Sequence, residues 1–258
     1  MERQFSLLQS VPPAIMRQAE AERLGDWLCG YRLPQKTWGC LLLLLPLLFF
    51  GTLCFGNLQS PVGLIILVIT LALLITWAIW TFDTARSRID LFSNGFLWSS
   101  PLSRQTFRWE EIQTLWRGTF RATQPQGVET IDTIKVKHRN GSVFEISTVT
   151  QLNEHERARI CDIIESYFVS FHLPNLLERY QRGEILNFDP LFVSRSGLSN
   201  KGDFLPWSQV EAIESGPERI VIRREGRTSD WYHTWVPRQP NACLLKALLE
   251  LLQMASRH

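Results

Sequence analysis

The sequence predicts an α+β chain. An N-terminal transmembrane α-hairpin is expected to precede two tandem units, each a bent antiparallel sheet or partial barrel closed by a C-terminal helix. Three observations carry that prediction. No Asp, Glu, Lys, Arg or His occurs from Thr37 through Phe82. Beyond Phe82, runs of β-branched and aromatic residues alternate with turn residues. The order of those runs then recurs in the C-terminal part of the chain. The expected layout is a cytoplasmic tail over 1–37, two spans within 38–82, a first unit over 86–172, a connecting helix over 173–183 and a second unit over 184–256.

The uncharged run is too long for one crossing, because about 20 apolar residues already span a hydrocarbon core of roughly 30 Å. It divides at Gly56-Asn57-Leu58-Gln59-Ser60-Pro61, a stretch suited to a turn and a new helix start. The expected helices are 38–55 and 62–82. Arg3, Arg17, Arg23, Arg32 and Lys36 precede them, and Arg86 and Arg88 follow. The positive-inside rule then places both termini in the cytoplasm, as in a multi-pass plasma-membrane protein. No ionisable residue lies within the spans, which argues against a pump or channel built from this chain alone.

In the first unit, Ile89–Phe92 and Phe96–Trp98 flank Asn94-Gly95, a strong hairpin signal. Ile131–His138 and Ser142–Ser147 flank Asn140-Gly141 in the same way. Asn153 is placed to cap a helix bearing Ile160, Ile163, Ile164, Tyr167, Phe168 and Phe171 at helical spacing. In the second unit, Leu191–Ser194 leads to Gly197-Leu198, and Leu205-Pro-Trp207-Ser-Gln-Val210 matches Phe107-Arg-Trp109-Glu-Glu-Ile112. Asn241 is placed as the second cap, before Leu244, Leu245, Leu248, Leu251 and Leu252. Between the copies, Pro174 suits a first helical turn and Gly183 a C′ position.

The Gly turn, the aromatic-x-Trp-x-x-Ile strand entry, the hairpin and the closing helix resemble bacterial pleckstrin-homology-like domains. Over roughly residues 38–255 the chain resembles an uncharacterised bacterial membrane family with a two-helix hairpin and tandem domains of that kind. The resemblance implies a binding or assembly module and supplies no catalytic residues. Relatives that recognise phosphoinositides place Lys and Arg around the first hairpin, whereas Phe92-Ser-Asn-Gly-Phe96 carries none.

The chemistry-bearing residues point the same way. The 27 Lys and Arg against 25 Asp and Glu argue against a nucleic-acid partner. The five Cys form no Cys-x-x-Cys pair and the five His no ligand-spaced pair, so neither a metal nor a cofactor is expected. No phosphate-binding Gly loop or nucleophile elbow occurs, and the expectation is a protein that is not an enzyme. Two basic stripes remain. Lys135, Lys137 and Arg139 form one; Arg219, Arg223, Arg224 and Arg227 form the other. A solvated strand face explains both, and contact with anionic lipid headgroups is the sharper reading of Lys135, Lys137, Arg139, Arg223, Arg224 and Arg227. The function expected is a membrane-anchored scaffold that presents its domains to a protein or peptide partner in the cytoplasm. The alternatives are a self-associating subunit of a membrane complex and a lipid-headgroup sensor.

Overall fold

The computed structural model describes residues 7–8, 11–32, 65, 68–76, 79, 87–100, 102–124, 127–146 and 154–256. They contain four antiparallel sheets and divide into two compact units. The first unit covers residues 1–106 with 149–152; the second covers 107–148 with 153–258.

Among the described residues, no helix is long and apolar enough to cross a membrane. This corrects the expected transmembrane hairpin, and with it the membrane-anchored fold and the multi-pass plasma-membrane location. The first expected span, 38–55, lies outside the described residues. Within the second, 62–82, helix is described at 65, 68–76 and 79. A lack of charge limits how a segment can be solvated, but it does not by itself dictate one continuous helix.

The first unit is built on a sheet of order β1-β2-β3-β4-β5. Its strands are β1 (Leu7–Leu8), β2 (Trp27–Arg32), β3 (Arg88–Phe92), β4 (Gly95–Ser99) and β5 (Arg104–Arg108), the last crossing into the second unit. Helix α1 (Pro13–Ala21) opens with a Pro in its first turn, where no intrahelical N–H is needed. It buries Ile15 and Ala19 against Leu24, Phe92 and Leu97. Gly25, at φ +79°, ends this excursion, and an added Cβ would stand 2.2 Å from Ser93 Oγ. Asp90 is fully buried on β3, where Arg88 Nε donates to it at 2.6 Å and Trp27 Nε1 at 3.3 Å. Gly30 faces it across the strands, since a Cβ there would lie 2.6 Å from Asp90 Oδ1.

The second unit contains β6 (Ile112–Gln124), β7 (Gly127–His138) and β8 (Val143–Ile146), followed by α2 (Glu154–Gln181). Then come β9 (Leu186–Phe188), β10 (Leu191–Val193), β11 (Gly197–Asn200) and β12 (Asp203–Pro206) in one sheet. A sheet of β13 (Val210–Ser215), β14 (Arg219–Arg224) and β15 (Asp230–Trp235) follows, then α3 (Ala242–Ser256). A Trp-led 3₁₀ turn enters each three-stranded sheet, at Trp109–Glu111 and Trp207–Gln209. Trp109 is buried and stacks on Tyr167 of α2 with ring centres 5.9 Å apart. His172 Nε2 donates to the Trp109 carbonyl at 2.9 Å, so two turns of α2 are pinned to one indole residue.

Helix α2 passes through Pro174 without ending and stops at Gln181, two residues before Gly183. There the Glu184 N–H donates to the Arg179 carbonyl at 3.1 Å, and Gly183 takes φ +86°. The expected cap Asn153 lies outside the described residues. Asn241 precedes α3 at φ +56°, but its side chain serves another element. Its Oδ1 accepts from the Leu115 N–H at 2.9 Å, and its own N–H donates to the Leu115 carbonyl at 2.8 Å. The residue before the last helix is thereby sewn to the edge of β6.

Candidate functional site

The long hairpin of β6 and β7 sorts its side chains by strand alternation. Leu115 lies opposite Val136 and Arg117 opposite Ile134, and with Phe144 and Ile146 of β8 they line one face. The apolar members of that face are buried. Trp116, Gly118 and Phe120 line the other, opposite Lys135, Thr133 and Ile131. Glu145 and Val143 of β8 extend this second face beside Lys135 and Lys137.

The inner face ends in a charged knot. Arg117 Nη2 donates to Asp132 Oδ1 at 3.1 Å and to Asp162 Oδ1 at 2.9 Å, and its Nε stands 3.7 Å from Glu165. Thr119 Oγ1 donates to the same Asp132 oxygen at 2.9 Å. A cavity of about 160 Å³ adjoins the knot, walled also by Cys243 and Lys246 of α3. Burial holds the Glu165 carboxyl above its ordinary pKa, with the positive charges of Arg117 and Lys246 opposing that rise. Burial likewise pushes the Cys243 thiol far up, which removes it as a nucleophile at neutral pH. Three carboxylates surround Arg117 and offset its charge, and the knot joins β6 and β7 to α2. Among the described residues, no group of three or more His, Cys, Asp or Glu could hold a metal ion.

The outer face carries a groove instead. Two adjoining pits, of about 530 and 550 Å³, share Phe120 and Pro237 as a common ridge. The first is walled by Thr119, Glu218, Trp235 and Arg238; the second by Trp116, Thr133, Lys135 and Glu145. Phe120 is 50% exposed and Trp235 53%, so both rings present apolar surface at the pits. Gly118 is the floor. A Cβ there would lie 2.7 Å from Phe120 Cε2 and 2.6 Å from Thr133 Oγ1, so the bare backbone lets the Phe120 ring lie down beside it.

The six basic residues singled out in the sequence part company here. Lys135 lies over the Trp116 ring, its Nζ 5.8 Å from the centroid, and walls the second pit. Lys137 and Arg139 are exposed, and Arg139 donates its backbone N–H to the Glu111 carbonyl. Arg223 pairs with Glu214 at 3.0 Å and Asp230 at 3.6 Å. Arg224 pairs with Asp203 at 3.3 Å and donates to the Phe204 carbonyl at 2.8 Å. Arg227 is exposed beside the same Asp203, whose carboxyl is held low first by the Trp231 indole N–H and then by Arg224. Only Lys135 reaches the pits. The residues that sequence reasoning passed over are Trp116, Phe120, Trp235 and Pro237. The pattern Trp116-x-Gly118-x-Phe120, with two aromatics flanking a Gly on one strand face, was the available signal.

The model of a family of unknown function, DUF6585, matches residues 6–258. The chain belongs to the DUF6585 family. The match takes in every strand and helix described above, including the groove on β6. No curated protein matches the sequence.

Proposed function

We propose that this DUF6585 protein is a non-enzymatic binding module that docks an extended protein segment across the Phe120–Pro237 ridge. The observation that carries the reading is the pair of pits on the outer face of β6, each bounded by an indole, with half-exposed rings at Phe120 and Trp235. A segment crossing the ridge sets one apolar side chain in each pit. Aromatic walls supply most of the affinity in such contacts, and polar rims supply orientation. Lys135 and Glu145 flank one pit, Arg238 and Glu218 the other, so both signs of charge are on hand to orient a partner.

The lipid-headgroup reading draws less support, because Arg223 and Arg224 are neutralised by carboxylates of their own unit. Panning a random-peptide display library against the full chain tests the docking reading, with a Phe120→Ser/Trp235→Ser double variant as counter-selection. Enriched sequences should share two apolar anchors. A synthetic peptide bearing them should lose about tenfold or more in affinity to Phe120→Ser, the usual loss at a central aromatic contact. Enrichment no greater on the native chain than on the double variant would defeat the proposal.

A further inference from the structure

A second cavity, separate from the docking groove, lies where the last turn of α2 meets the C-terminal end of α3. Its volume is about 540 Å³, within the usual range of small-molecule sites. Trp207, Val210, Ile213 and Leu252 give it apolar walls, and Tyr180 and Arg195 bring polar groups to it. Arg195 comes from the turn between β10 and β11. Its stem passes Gly183, where an added Cβ would stand 3.9 Å from Arg195 Cδ.

The chemistry of Arg195 sets the ligand class. Arg223 and Arg224 of the same unit are held by carboxylates, whereas Arg195 has no ion pair among the described residues. The acid on the cavity wall, Glu211, is not bonded to it. Burial raises the Tyr180 hydroxyl above its ordinary pKa, while the Trp207 indole and then the positive charge of Arg195 oppose the rise. An uncommitted guanidinium beside an apolar recess matches a molecule with a hydrocarbon body and one carboxylate. The body takes the place of water against Trp207 and Leu252, and the carboxylate accepts two parallel N–H bonds.

We infer that this cavity binds a small amphipathic monocarboxylate, with Arg195 as its charge partner. Three probes of one chain length test it on the full chain: octanoate, octan-1-ol and octylammonium, followed by calorimetry and saturation-transfer NMR. Octanoate should bind about tenfold or more tighter than the other two, as a charge-assisted bond provides. Arg195→Gln, a change at an exposed position, should erase that preference and leave octan-1-ol binding as it was. Leu252→Trp fills the recess and should remove binding of all three. Failure of octanoate to bind would overturn the inference, and so would equal affinity for octanoate and octylammonium. An octanoate affinity untouched by Arg195→Gln would overturn it as well, and that variant decides the matter even if Leu252→Trp does not fold.

Discussion

Replacing Asn241 tests how the last helix is held. The native residue sits at φ +56°, a conformation that costs other L-residues roughly 1–2 kcal/mol and that Asn and Asp tolerate best. Its Oδ1 is the acceptor for the Leu115 N–H at 2.9 Å, and its Nδ2 reaches the Gln113 carbonyl at 3.4 Å. Asn241→Ala removes the acceptor and keeps the backbone demand. Leaving a part-buried N–H unmatched costs about 1–3 kcal/mol, so with the backbone strain the loss should be about 2–5 kcal/mol. Asn241→Asp keeps an oxygen for Leu115, tolerates the same φ and adds a negative charge at a helix N-terminus, so its loss should stay under about 1 kcal/mol. Urea unfolding of the full chain, followed by far-ultraviolet circular dichroism, gives the ranking. Amide exchange read at Leu115 gives the location. Asn241→Ala should speed that one amide, and Asn241→Asp should leave it slow. Equal damage from the two variants, or an unchanged Leu115 exchange rate in Asn241→Ala, would refute the stitch between α3 and β6.

Three further outcomes follow from the same unit. The pKa of His172 is lowered, mainly by burial, against the pull of the Trp109 carbonyl, and Arg139 lowers it further. The unfolded chain therefore takes up this proton first as pH falls through about 6.5, so stability declines on acidification below that value. His172→Gln, which can still donate to Trp109, should flatten that part of the urea-midpoint profile. Arg117→Met strands the nearly buried Asp132 carboxylate and should cost about 3–5 kcal/mol in urea unfolding, with Asp132→Asn in the same chain recovering part of it. Gly118→Ala drives a methyl into the Phe120 ring and Thr133, costing about 1–3 kcal/mol. It should also weaken any peptide selected on the native groove, as measured by fluorescence anisotropy.

Local chemistry was legible wherever partners lie close in sequence. The turn at Ser93-Asn94 joins Phe92 to Gly95, and the turn holding Gly141 at φ +88° separates β7 from β8. Both Trp-x-x-Ile/Val signals sit at 3₁₀ entries to strands. What the chain hid were pairings over long separations. Strand β2 pairs with β3 across the whole uncharged run, and no local pattern in Trp27–Arg32 announces it. The docking groove needs Pro237 beside Phe120, residues from opposite ends of the second unit. The basic stripe on β14 looked solvated because its neutralising acids stand on other strands: Glu214 on β13, Asp230 on β15 and Asp203 on β12. The uncharged stretch misled for a different reason. Hydropathy reports what a segment avoids, not the length of helix it forms.

Helix α2 has a consequence for whether the two three-stranded sheets can be separated. Its middle rests on Trp109, beside the first of the two three-stranded sheets, and its last turn walls the recess formed with Trp207, beside the second. One spar thus belongs to two cores. A protease that nicks it breaches both. Cutting this rod would therefore disturb both three-stranded sheets at once.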